Sequence, residues 1–153
     1  MLENALKSPY SHLVINHLPI FLLIMGCFLL LFGFLFKNGL VKRLALSLFV
    51  FAGIAAFLSM NTGEGAEEIV EGLEKASGKF IHQHEEHAET FSLVTYLLSA
   101  ISLLAMWLSW KKNKRSNALS IGVALMAIFT ISLGVKTATS GGEIMHKEIR
   151  KIK

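Results

Sequence analysis

Four stretches of this chain are nearly unbroken runs of apolar residues: Leu13–Phe36, Leu40–Met60, Phe91–Trp110 and Ala118–Ala138. Each is close to the ~20 residues that cross a hydrocarbon layer of roughly 30 Å at about 1.5 Å per residue. Backbone polar groups find no water in lipid, so each run must satisfy its own hydrogen bonds, and a helix does so within one segment. The runs show none of the period-2 alternation of a membrane β-barrel strand. The pattern predicts helices at about 13–36, 40–60, 88–110 and 116–140. Short connections join the first to the second and the third to the fourth. The expected fold class is all-α: an integral membrane four-helix bundle, packed up-down.

Between the second and third runs the pattern changes. Ala66, Ile69, Val70 and Leu73 recur at helical spacing among glutamates. That predicts an acidic, amphipathic loop over 61–87, lying across the mouth of the bundle as a lid or surface helix, with breaks at Gly72 and Gly78. Composition then limits what else fits. Of 153 residues, 53% are hydrophobic and mean hydropathy is +0.54, so 1–153 reads as a single transmembrane domain with no room for a soluble one. The first run is too long for a secretory signal, lacks a basic leader and is followed by no A-x-A site, so it reads as a retained helix. Cys27 is the one cysteine, which excludes an intrachain disulfide and CxxC metal or haem-attachment motifs.

Charge orients the bundle. The first connection carries Lys37, Lys42 and Arg43, and the third carries Lys111, Lys112, Lys114 and Arg115, with no acid in either. The second connection holds eight glutamates from Glu64 to Glu89 against Lys75 and Lys79. Lys and Arg mark cytoplasmic loops. Loops one and three are therefore expected inside, and the acidic loop and both termini on the outer side. The basic tail (Lys147, Arg150, Lys151, Lys153) runs against this rule. The expected location is a bacterial cytoplasmic (inner) membrane, crossed several times.

With this topology all six histidines fall on the outer, periplasmic side: His12, His17, His82, His84, His87 and His146. At the entry to the third helix, Phe80, His84, His87 and Phe91 share one helical face. His84 and His87 should therefore point into the bundle, while His82 falls with Glu85, Glu86 and Glu89 toward water. Either inward ring could be a ligand, with Glu85 or Glu86 orienting it through its second nitrogen. His12 and His17 are about 140° apart on a regular helix and roughly 7.5 Å apart in height, so one ion would not take both. Pro19 either lies in the first helical turn or kinks a helix that starts earlier. After the fourth run, Gly141-Gly142 marks a helix C-cap or a place where another body nears the backbone. Trp107 and Trp110 suit the inner interface, and Lys136 can snorkel to the outer one.

Taken together, His-x4-His-x-Pro opening the first helix, Thr-Gly after the second, His-Glu-Glu before the third and Gly-Gly-x3-His after the fourth resemble a bacterial family. It is a group of four-helix membrane proteins of unknown function held to bind haem. The resemblance spans His12 to His146. The positions matching the family's histidines are His12, His17, His84 (with His87 a competing alignment) and His146. His17-Leu18-Pro19 stands where the family more often has His-Phe-Pro. The resemblance implies a b-type cytochrome.

The expected function is thus a small membrane b-type cytochrome carrying one or two haems b between axial imidazoles near the outer face. It is an electron carrier rather than a stand-alone enzyme: no nucleophile–base pair, phosphate loop or HExxH motif is present. The pairing favoured from the sequence is His17 with His87, with His12, His84 and His146 as an upper set. A rival reading takes the same histidines with Glu85 as an outward site for Zn, Cu or Fe. Another makes the chain a non-catalytic subunit of a respiratory or transport complex. Expected partners are the lipid bilayer, quinone or other electron-transfer proteins, and further copies or subunits of a larger complex; nucleic acid is not expected.

Overall fold

The computed structural model describes residues 9–71 and 78–151. The chain forms α1 (Pro9–Ile15), α2 (Leu18–Leu35), α3 (Gly39–Glu71), α4 (Gly78–Trp110) and α5 (Arg115–Met145), then a short 3-10 turn at Ile149–Lys151. Four segments are long and apolar enough to cross a membrane: Tyr10–Leu35, Gly39–Gly63, Gly78–Trp110 and Arg115–Met145. They pack up-down, α2 on α3, α3 on α4 and α4 on α5, while α5 meets α2 over a shorter stretch. The result is the expected all-α four-helix bundle, with the start of α1 and the end of α5 at the same end.

The helices run further than hydropathy implied. Residues 61–71 continue α3 without a break, and α4 begins at Gly78, before its apolar run. Much of the acidic stretch 61–87 is therefore two helical extensions rather than a loop across the mouth. The apolar run ends where lipid ends, but helical hydrogen bonding continues wherever neighbours support it. Gly72 and Leu73, part of the expected amphipathic segment, lie outside the described residues. Conversely, the first span is split. Pro19 has no N–H to give, and its ring crowds the carbonyl four residues back, at Ile15. The helix stops at Ile15 and restarts at Leu18 with Pro19 in its first turn.

The two basic connections are built alike. Lys37 (φ 50°) and Lys112 (φ 53°) adopt the left-handed conformation that closes a helix. The next residue reaches back in each: Asn38 N–H donates to Gly33 O at 2.9 Å, and Asn113 N–H to Leu108 O at 3.0 Å. The same two asparagines then open the following helices, Asn38 Oδ1 accepting from Leu40 N–H and Asn113 Oδ1 from Arg115 N–H, both at 2.9 Å. One residue type thus ends one helix and begins the next, which keeps both connections short. Lys42 ties the two together, its ammonium donating to Asn117 Oδ1 at 2.7 Å.

Inside and outside are arranged for lipid. Phe21, Phe28, Phe57, Leu125 and Phe129 are all more than half exposed, a surface that would aggregate in water and is ordinary against acyl chains. The interior mixes Leu23, Leu30, Phe49 and Leu98 with alanines and hydroxyl residues. Buried Thr95, Ser102 and Thr130 donate to the carbonyl four residues back at 2.7–2.8 Å, so no hydroxyl proton is stranded. Gly26 admits the ring of Phe49: a Cβ there would lie 2.5 Å from its Cε1.

Candidate functional site: an imidazole cluster at the open end

The break before Pro19 sets α1 against α3, and His12 is the residue it delivers. The ring is half-buried. Its Nδ1 is 3.2 Å from the carbonyl of Ser59 and 3.2 Å from Thr62 Oγ1. A carbonyl oxygen only accepts, so Nδ1 carries the proton. The Thr62 hydroxyl spends its own proton on Leu58 O and Ser59 O, at 3.1 and 3.0 Å, and so also accepts from the ring. With Nδ1 protonated, Nε2 keeps a free lone pair. Gly63, one residue on, lies beside the ring: a Cβ there would come 3.6 Å from His12 Cε1.

His84, on α4, meets α5 in the same manner. The ring is half-buried, and its Nδ1 lies 3.1 Å from the carbonyl of Thr137 and 3.2 Å from Ser140 Oγ. Ser140 Oγ donates to Thr137 O at 2.9 Å. The same logic makes Nδ1 the donor and leaves Nε2 as the available base. Gly141 flanks the ring more tightly, with a virtual Cβ 3.0 Å from His84 Cε1 and 3.2 Å from Nδ1. Of the two readings of Gly141-Gly142, close approach is the one realised. α5 runs on to Met145 and neither glycine has positive φ; the body that approaches is an imidazole. A charge on His12 is felt at His84.

The remaining histidines differ. His17 is exposed at the break between α1 and α2. His87 is half-buried, its backbone carbonyl accepting from Thr137 Oγ1 at 3.0 Å, and it is close enough to influence His84 electrostatically. His82 is exposed beside Glu85 and Glu86, at 3.6 and 3.5 Å. His146 caps α5, is exposed, and contacts Glu148 Oε1 at 2.9 Å. Arg150, one of the tail cations, folds back onto the helix end. It donates to Glu143 O and Ile144 O at 2.6 Å and lies over the Phe80 ring, 4.3 Å from its centroid. Among the described residues no three His, Cys, Asp or Glu side chains converge as the ligands of a bare metal ion would.

Sequence reasoning missed Ser59, Thr62, Thr137 and Ser140 as partners of the rings. Forty-seven to 56 positions separate them from their histidines. The signal that could have found them is the shared Ser/Thr-x-x-Ser/Thr-Gly spacing in Ser59–Gly63 and Thr137–Gly141. No family model, curated protein or solved structure matches this chain.

Proposed function

We propose that this protein is a small membrane b-type cytochrome that carries electrons near one face of the bilayer. The observation that carries the reading is the pair His12 and His84. Each imidazole is clamped through Nδ1 by a helix carbonyl and a hydroxyl, with Nε2 left as the free base. That is the arrangement by which proteins fix the tautomer and raise the basicity of a metal-bound imidazole. Gly63 and Gly141 leave the rings space that side chains would take. His12 and His84 would hold the haem through their Nε2 atoms, and the haem would supply a one-electron iron couple suited to electron transfer. The chain's own part is to hold the rings, keep the surroundings apolar and exclude water.

The resemblance to haem-associated four-helix membrane proteins agrees with this reading. The charge pattern supports an orientation with the Lys37 and Lys112 connections in the cytoplasm and the histidine-bearing end on the periplasmic side of a bacterial inner membrane. Quinone or another electron carrier would then exchange electrons at the outer face, in a homo-oligomer or within a larger respiratory or transport complex. A bare Zn, Cu or Fe site fits less well, since it needs three or four ligands and the described residues gather no such set.

The test is an absorption spectrum of the detergent-purified protein, oxidised and then dithionite-reduced. A sharp α band of low-spin b haem on reduction is expected. A colourless protein from haem-replete cells would remove the cytochrome reading, and elemental analysis would then separate a metal protein from a scaffold subunit. Glu85→Gln sharpens the choice: haem retention should survive it, whereas a His/Glu metal site should weaken.

A further inference from the structure

The two imidazole cradles belong to a repeat that runs through the whole bundle. In α2 the buried positions are Pro19, Leu23, Gly26, Leu30 and Gly33. The positions 72 residues later in α4 are Phe91, Thr95, Leu98, Ser102 and Ala105, and all are buried. His84 stands 72 positions after His12. The left-handed Lys and capping Asn of the turns, Lys37-Asn38 and Lys112-Asn113, are 75 apart. In α3, buried Ala45, Phe49, Ala52, Ala56 and Thr62 correspond, 78 positions on, to buried Val123, Ala127, Thr130, Gly134 and Ser140 of α5. The second hairpin is therefore the first with three residues, nearly a helical turn, added to each arm at the basic end.

Packing follows the same correspondence. In the first hairpin a small residue on one arm, Gly26, receives a large one from the other, Phe49. The equivalent positions hold Leu98 and Ala127, with large and small exchanged between the arms. Ser59, Thr62 and Gly63 around His12 become Thr137, Ser140 and Gly141 around His84, each 78 positions later. Two hairpins built alike and packed up-down side by side are related by an approximate two-fold axis along the bundle, from which the α2–α5 seam, shorter than the α3–α4 seam it would exchange with, departs.

We infer that the bundle binds a single haem between its two halves, with His12 and His84 as equivalent axial ligands and Thr62 and Ser140 as equivalent positioning residues. This rests on the cytochrome reading. A group held by two symmetry-related ligands lies on the axis that relates them, and the sequence supplies one such pair of histidines. Among the six histidines only these two are counterparts. The repeat sets His17 against Glu89, His87 against Ile15, His82 against Tyr10 and His146 against Glu68. The pairing of His17 with His87 and a second haem on an upper set both lack this equivalence.

The experiment uses the full chain purified in detergent, with haem quantified per chain as its pyridine adduct and low-spin iron read by electron paramagnetic resonance. One haem per chain is expected. His12→Ala and His84→Ala should each lose the low-spin signal and regain it when imidazole is added, which separates a missing ligand from a misfolded chain. His17→Ala, His87→Ala and His146→Ala should keep the signal. Thr62→Val and Ser140→Ala should keep haem yet raise its reduction potential, both in the same direction. Each removes an acceptor from Nδ1–H, making the imidazole a weaker donor to ferric iron. Two haems per chain, a low-spin signal that survives loss of both His12 and His84, or its loss in His17→Ala would overturn the inference while leaving a cytochrome. A colourless wild-type protein would overturn the cytochrome reading and the inference with it.

Discussion

An imidazole has two nitrogens, and fixing one aims the other. Each of His12 and His84 is fixed by a carbonyl and by a hydroxyl whose own proton is already committed. The two flanking glycines differ in how much they yield, and the difference gives a prediction. A Cβ at Gly141 would sit 3.0 Å from His84 Cε1, tighter than ordinary van der Waals contact, whereas at Gly63 it would sit 3.6 Å from His12 Cε1. Gly141→Ala should therefore push the His84 ring off its two acceptors and, on the cytochrome proposal, reduce haem retained through purification. Gly63→Ala should leave retention unchanged and stabilise α3 by up to about 1 kcal/mol through helix propensity. Equal loss in both variants, read from the ratio of haem absorbance to protein, would contradict this account of the cradles. Legibility at this scale was partial. The histidines and the Thr-Gly and Gly-Gly pairs stand out in the sequence, but Ser59 and Thr137 accept through backbone carbonyls, which no residue type announces. Only packing makes them acceptors.

At the scale of the element, the helices are defined by where neighbours meet. Gly26 shows the clearest dependence: a Cβ there would fall 2.5 Å from Phe49 Cε1, and Phe49 is fully buried with no space to retreat. Gly26→Ala should lower the thermal stability of the detergent-solubilised protein by about 1–3 kcal/mol, as overpacked cores do. Gly122, with nothing within 4 Å of its virtual Cβ, is the control: Gly122→Ala should be neutral or mildly stabilising. Pro19 decides the first span. The sequence left open whether it opened a helix or kinked one, and the structure contains both events, an end at Ile15 and a start at Leu18. Pro19→Ala restores an N–H that can pair with the Ile15 carbonyl and removes the ring that blocks it. A continuous α1–α2 helix would carry His12 away from Ser59 and Thr62, so on the cytochrome proposal the low-spin haem signal should weaken while helical circular dichroism rises. An unchanged haem signal would show that the break does not position His12.

For the whole molecule, the governing facts are the apolar exterior and the separation of charge between the ends. Lys37, Lys111, Lys112 and Lys114 gather at the end opposite the histidines. Single cysteines at Lys111 and at Glu148, both exposed positions, test the orientation in a Cys27→Ala background. A membrane-impermeant maleimide should label the Glu148→Cys variant in intact spheroplasts and the Lys111→Cys variant only in inside-out vesicles. The reverse pattern would place the imidazole cluster in the cytoplasm. The approximate two-fold relation of the hairpins also belongs to this scale. It hardly shows as residue identity, because the conserved quantity is which positions are buried and how large a pair is in sum, as with Gly26 and Phe49 against Leu98 and Ala127.

The four spans, the up-down order, the basic and acidic ends and the gathering of histidines at one end were determined by the sequence alone. Hydropathy over ~20 residues and charge between spans are properties of consecutive residues, and lipid leaves a helix as the single-segment solution. The ends of the helices, the partner of each imidazole and the equivalence of the two halves were decided by tertiary structure. Those depend on contacts between residues tens of positions apart, where a glycine is a hole for a ring and a serine is an acceptor only because of what the neighbouring helix brings to it.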